Sequence, residues 1–295
     1  MQTLSFAGAH TALVTPFKGD SIDETALTSL IESQVAAGIS GIIPVGTTGE
    51  SPTLSHEEHR RVIEISVKAA AKRVLVIAGT GSNATSEAVE LTIEAEKLGA
   101  DAALLVAPYY NKPSAEGLYR HFRKVAEAVS IPIVLYSIPG RCGIEIPVSV
   151  VARLAADCPN ITAIKEAGGS VERVNQLRTA LPASFQILSG DDSLTLPFMA
   201  SGAVGVISVA SNIIPAEVQS LVQNFLKGDL AKAQEIHARY YPLFRDLFIE
   251  PNPVPIKAAL TEKGLCAHDV RLPLCEMDQS TKETLLKTLK STGVL

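Results

Sequence analysis

Tryptophan is absent from this 295-residue sequence, and aromatic residues of all kinds make up only 5% of it. A core built from it has to be aliphatic, and hydrophobic residues at 46% supply one. Charged residues, at 19%, fall below the usual share of about a quarter, a balance that suits a compact chain burying much surface, as in an oligomer. No basic tract is present. With a net charge of −5, the electrostatic footprint of a nucleic-acid binder is missing. The four cysteines, Cys142, Cys158, Cys266 and Cys275, form no C-x-x-C pair, which argues against a thiolate zinc site or a dithiol redox pair. Met1 to Thr15 has no basic stretch followed by an apolar one, and no apolar run approaches the roughly 18 residues that cross a bilayer. The expectation is a soluble cytoplasmic protein with neither nucleic acid nor membrane as a partner.

Short aliphatic runs alternate with longer amphipathic ones. Ala9–Phe17, Gly41–Gly46, Val74–Thr80, Ala102–Pro108, Pro132–Pro139, Ile161–Ala167, Phe185–Asp191 and Ala203–Ala210 are rich in Val, Ile, Leu or Ala with little alternation, the pattern of parallel strands covered on both faces. Between them, Asp23–Gly38, Ser55–Ala71, Thr85–Gly99, Ser114–Val129, Pro147–Asp157, Ser170–Leu181, Ser193–Ser201 and Pro215–Lys227 read as helices. Ser55 suits an N-cap, Glu57 and Glu58 suit the positive first turn, and Gly38 and Gly99 suit C-terminal stops. Eight strand–helix units, with no G-x-G-x-x-G after the first strand, predict a (β/α)8 TIM barrel over residues 1–228 rather than an open doubly wound sheet. Leu230–Phe248, Val254–Lys263 and Ser280–Lys290 predict a C-terminal helical appendage, residues 229–295.

Barrels of this kind carry their chemistry at the C-terminal ends of the strands. Lys165 lies there in Ile161-Thr-Ala-Ile-Lys-Glu-Ala. Burial would lower its pKa and expose a neutral amine able to attack a ketone; equally, it could pair with Glu166 at a strand end. Tyr136 at the end of the fifth strand reads as a core aromatic or a proton relay. Gly46-Thr47-Thr48-Gly49-Glu50-Ser51 reads as an ordinary turn or as a loop that holds a carboxylate with neutral donors; it lacks the lysine of a phosphate loop. Arg141 is a surface residue or a bidentate carboxylate partner. Tyr109 and Tyr110 suit an oligomer contact. His56 and His59, three apart on one helical face, could share a ligand, but their spacing is not H-E-x-x-H, and no metal set is predicted. Asp191 and Asp192 could form a carboxylate pair, with Asp192 equally suited to cap the next helix.

At these residues the sequence resembles the dihydrodipicolinate synthase and N-acetylneuraminate lyase superfamily, from about Phe6 to the C-terminal helices. The resemblance rests on Gly46-Thr-Thr-Gly-Glu-Ser, Pro108-Tyr-Tyr-Asn-Lys-Pro, Tyr136-Ser-Ile-Pro-Gly-Arg and Ile164-Lys-Glu-Ala. Thr47-Thr48 and Arg141 are similar to the synthase branch rather than the sialic acid lyases. That branch condenses pyruvate with L-aspartate 4-semialdehyde in lysine and diaminopimelate biosynthesis. The resemblance implies Lys165 as the Schiff-base residue. It implies Tyr136 as proton relay, linked through Thr47 to Tyr110 from a neighbouring subunit. It further implies Thr48 at the pyruvate carboxylate with Ile207 lining the same pocket, Arg141 at the semialdehyde carboxylate, and Gly190 supplying backbone. No cofactor and a homotetramer built as a dimer of dimers are implied. A second matching set, Ser51, His56, His59, Asn83, Glu87 and Tyr109, implies feedback inhibition by L-lysine. The chain departs from the common pattern at Ser137, Cys142 and Pro52, none of which removes a catalytic group. A pyruvate-dependent sugar-acid aldolase would share Lys165 and Tyr136. A barrel turned small-molecule sensor would have lost Lys165, Tyr136 or Thr47, and all three are present.

Overall fold

A computed structural model of the protein describes residues 4–295. Eight parallel strands close into a barrel: β1 (Gly8–Ala12), β2 (Gly41–Ile43), β3 (Leu75–Gly79), β4 (Ala102–Val106), β5 (Ile133–Ser137), β6 (Ile161–Glu166), β7 (Gln186–Ser189) and β8 (Gly205–Ser208). The circle closes where β1 pairs with both β8 and β2. The helices α1 (Glu24–Ala36), α2 (His56–Ala70), α3 (Thr85–Lys97), α4 (Ala115–Ala126), α5 (Val148–Asp157), α6 (Val171–Ala180), α7 (Thr195–Ala200) and α8 (Pro215–Leu226) follow the strands in turn. Three more helices, α9 (Leu230–Asp246), α10 (Val254–Glu262) and α11 (Gln279–Ser291), form the C-terminal appendage.

The observed strands stop short of the aliphatic runs seen in the sequence. The remaining residues pass over the C-terminal mouth of the barrel. They still bond to the neighbouring strand: Leu13 N–H donates to the Ile43 carbonyl at 3.0 Å, Ala107 to Tyr136 at 2.9 Å, Ala167 to Ser137 at 2.9 Å and Gly190 to Glu166 at 2.7 Å. Local side-chain chemistry sets where helices begin and end. Ser55 and Glu58 form a reciprocal capping box at the start of α2, and Gly38 and Gly99 take positive φ just past α1 and α3.

Strand parity sorts the side chains into two cores. Phe6, Ala12, Ile43, Ile77, Leu104, Val134, Tyr136, Ala163, Leu188 and Ile207 fill the barrel interior. The outer layer between strands and helices is a second apolar cluster. It continues without interruption into the appendage through Leu243, Phe244, Leu285 and Leu289. Barrel and appendage therefore share one core, with α9 packed on α8 and α11.

Candidate active site

Lys165 and Tyr136 are partners in register across β6 and β5, and both point into the barrel. The alternation that turns Lys165 inward turns Glu166 outward. There the Glu166 carboxylate accepts from Arg173 Nε at 2.8 Å and from Gly168 N–H at 2.7 Å. The alternative of a Lys165–Glu166 pair is thereby excluded; among the described residues Lys165 forms no ion pair. Its Nζ instead lies 4.2 Å from the centroid of the Tyr136 ring. Burial lowers the Lys165 pKa to about 7, with the buried carboxyl of Asp192 opposing and Arg141 reinforcing the shift. Burial pushes the Tyr136 phenol above its ordinary range, while Arg141 and the Thr47 hydroxyl beside it work the other way.

Gly190 follows β7 because a side chain there would not fit. A Cβ would lie 3.0 Å from Lys165 Cε and 2.6 Å from Ala167 Cβ. The loop after β2 is held as tightly. Val45 and Glu50 adopt left-handed backbone, Thr15 Oγ1 donates to the Gly49 carbonyl at 2.7 Å, and a Cβ on Gly49 would sit 3.0 Å from Val45 N. This folding brings Thr47 and Thr48 to the mouth. Thr48 Oγ1 accepts from Asn252 Nδ2 at 3.0 Å, which leaves its own proton free to donate. Arg141 stands on a four-residue helical turn, Pro139–Cys142, and its Nη2 donates to the Asn252 carbonyl at 3.2 Å. Burial raises the neighbouring Cys142 thiol to about 11.

These groups line one cavity of about 500 Å³. Its walls include Thr47, Thr48, Tyr136, Arg141, Lys165 and Gly190, and also Ser51, His56, His59, Glu87 and Tyr109. The second set of residues is thus continuous with the first. His56 Nε2 lies 2.8 Å from Glu87 Oε1, and Ser82 Oγ donates to the other carboxylate oxygen. The Ser82 hydroxyl and His56 together hold the Glu87 carboxyl below its usual range. His59 is buried against the Gly79 carbonyl at 2.8 Å; its Nδ1 has no partner among the described residues, and burial lowers its pKa.

Three of the candidate residues do not line this cavity. Ile207 packs into the inner core, and Val209 lines the cavity in its place. Asn83 stays off the cavity wall, donating through Nδ2 to the Tyr109 carbonyl at 3.3 Å. Tyr110, 89% exposed and at positive φ, also lies outside the cavity of its own chain. The two aspartates divide their work differently from the sequence reading. Asp191 caps the turn through Ser193 N–H at 2.8 Å, whereas Asp192 is buried and accepts from Val209 and Ala210 N–H at 3.0 Å each. Sequence reasoning missed Ser82 and Asn252. Among the described residues no cluster of His, Cys, Asp or Glu is arranged to hold a metal ion, and no helix is long and apolar enough to cross a membrane.

Residues 5–292 match the Dihydrodipicolinate synthetase family. The chain is 52% identical over 285 residues to the 4-hydroxy-tetrahydrodipicolinate synthase of Aquifex aeolicus (strain VF5), covering 97% of each chain. It is 49% identical over 290 residues to that of Endomicrobium trichonymphae, covering 98% of this chain and 99% of the relative. Among solved structures, the 4-hydroxy-tetrahydrodipicolinate synthase of Methylacidiphilum fumariolicum SolV superposes with a TM-score of 0.97 at 53% identity, over 98% of this chain and 96% of the other. DHDPS from Cyanidioschyzon merolae, solved with lysine bound, superposes with a TM-score of 0.96 at 43% identity, over 98% and 99%.

Proposed function

The chain belongs to the dihydrodipicolinate synthetase family and is a lyase; we propose that it condenses pyruvate with L-aspartate 4-semialdehyde through a Schiff base on Lys165. The observation that carries this reading is the buried Lys165, which forms no ion pair among the described residues and whose pKa burial lowers to about 7. The neutral amine attacks the pyruvate ketone, water leaves, and an iminium remains. Loss of a C3 proton gives an enamine, which attacks the aldehyde carbon to form the new carbon–carbon bond. The amino group of the aldehyde substrate then displaces Lys165 from C2 and closes the ring.

Tyr136 and Thr47, with Tyr110 from a neighbouring copy, carry the protons for these steps. The exposure of Tyr110 on its own chain fits that use and a homotetramer built as a dimer of dimers. Thr48 donates to the pyruvate carboxylate and Arg141 takes the semialdehyde carboxylate.

Inhibition by L-lysine at Ser51, His56, His59, Asn83, Glu87 and Tyr109 completes the reading. Glu87 offers a carboxylate to an ammonium group, with His56 and Ser82 holding it in place. Ser51 closes the same tight loop that carries Thr47 and Thr48, a direct physical route between the two ligands, whose coupling must be reciprocal. The test is a rate assay with pyruvate and the semialdehyde, coupled to dihydrodipicolinate reductase, with and without L-lysine. Turnover that falls with lysine is expected. Absence of turnover would overturn the substrate assignment, and turnover untouched by millimolar lysine would overturn the effector assignment.

A further inference from the structure

The two side chains assigned to the substrate carboxylates come from distant parts of the barrel, Thr48 from the loop after β2 and Arg141 from the turn after β5. One residue of the appendage touches both. Asn252 donates through Nδ2 to Thr48 Oγ1 at 3.0 Å, and its main-chain carbonyl accepts from Arg141 Nη2 at 3.2 Å. Asn252 is buried and lines the cavity, and its Oδ1 has no hydrogen-bond partner among the described residues. It immediately precedes α10, and α10 is pinned to the same threonine loop. Fully buried Lys257 donates to Glu50 Oε1 at 2.5 Å, and the Arg271 N–H bonds the other oxygen of that carboxylate at 3.1 Å.

We propose that Asn252 is a positioning residue that brings the two carboxylate-binding groups into one geometry. By donating to Thr48 it fixes the hydroxyl oxygen as an acceptor and turns the hydroxyl proton toward the pyruvate carboxylate. By accepting from Arg141 it stops the guanidinium at the place where the second carboxylate arrives. A rigid backbone carbonyl and a side-chain amide of one residue thereby set the distance between the two substrates. This inference rests on the roles given above to Thr48, Arg141 and Lys165.

Asn252→Ala and Asn252→Asp test it, with KM and kcat measured separately for each substrate. Thermal unfolding and cyanoborohydride trapping of pyruvate on Lys165 complete the comparison. Asn252→Ala keeps the main-chain carbonyl that holds Arg141 but loses the amide that holds Thr48, so it raises KM for pyruvate about tenfold, the loss expected of one hydrogen bond to a charged system, while KM for the semialdehyde and kcat at saturation change far less. Asn252→Asp keeps the size but removes the donor and adds a negative charge beside both carboxylates, so its KM rises at least as far. A residue that merely fills space would leave KM for pyruvate at the wild-type value in Asn252→Ala and move only its unfolding temperature; that result overturns the proposal. So does a half-saturation for pyruvate trapping that stays within twofold of wild type in both variants. Wild-type protein that traps no pyruvate at all would overturn the Schiff-base reading itself, and this inference with it.

Discussion

The protonation of Lys165 sets a testable pH profile. Its pKa falls from 10.5 to about 7 because burial disfavours the ammonium; Asp192 and Arg141 are the charged groups that face it, and the Tyr136 ring covers it. The neutral amine is then about a tenth of the population at pH 6, half at pH 7 and nine-tenths at pH 8. Single-turnover capture of pyruvate, measured by cyanoborohydride trapping and mass spectrometry, is expected to rise steeply up to pH 7 and to level off above pH 8. An amine at its ordinary value would give a rate still climbing tenfold per pH unit between 8 and 9.5, and that result would refute the reasoning. The same shift carries a stability consequence. Because the folded pKa lies below the unfolded one, the unfolded state binds more protons between about pH 7 and 10.5, and stability rises with pH across that window. Below pH 7 the full cost of the buried ammonium, on the order of 5 kcal/mol, is present. Lys165→Met is therefore expected to raise the unfolding temperature more at pH 6 than at pH 10.

Two packing predictions follow from distances at the site. Gly190→Ala places a methyl 2.6 Å from Ala167 Cβ and 3.0 Å from Lys165 Cε. It is expected to cost about 1–3 kcal/mol of stability and, by moving the amine, to lower kcat about a hundredfold; an unchanged melting curve and rate would count against it. Lys257→Met strands the buried Glu50 carboxylate without its partner and is expected to cost about 3–5 kcal/mol in thermal or urea unfolding. Adding Glu50→Gln to it should recover most of that loss, and a double variant as unstable as the single one would show that the ion pair is not the cause.

What could be read from the sequence and what could not divide along contact range. The eight aliphatic runs announced the barrel because parallel strands buried on both faces need no alternation, and the Ser55 cap and Gly38 stop are local chemistry that works within one turn. Lys165 was visible as a lysine in an apolar strand, but its sequence neighbour Glu166 left an ion pair open. Only strand parity in the closed sheet separates the two, sending one to the mouth and the other to Arg173. Asp192, expected to pair with Asp191 or to cap the next helix, is buried instead, and Asp191 makes the cap, for a related reason. Either could cap a turn, and what selects Asp192 for burial is a pair of N–H groups from β8's exit, 17 and 18 residues away. Ile207 packs in the inner core, while Val209, two residues on, lines the cavity.

Asn252 and Lys257 lay beyond any local pattern, since their partners Thr48 and Glu50 are 204 and 207 residues distant in the chain. Their positions change what the appendage is for. Among the contacts that run from it to the mouth are three from one short stretch: Asn252 to Thr48, Asn252 to Arg141 and Lys257 to Glu50. Two of them hold the threonine loop and one holds the arginine turn, so both halves of the mouth are fixed against the same short stretch of chain, residues 252–257. A barrel alone would present Thr48 and Arg141 on separate loops, each free to fluctuate at the low-stability end of the molecule. Burying the anchors in the core that barrel and appendage share ties those loops to its stability instead. The arrangement explains why an amide and an ion pair that touch none of the reacting atoms are buried beside them.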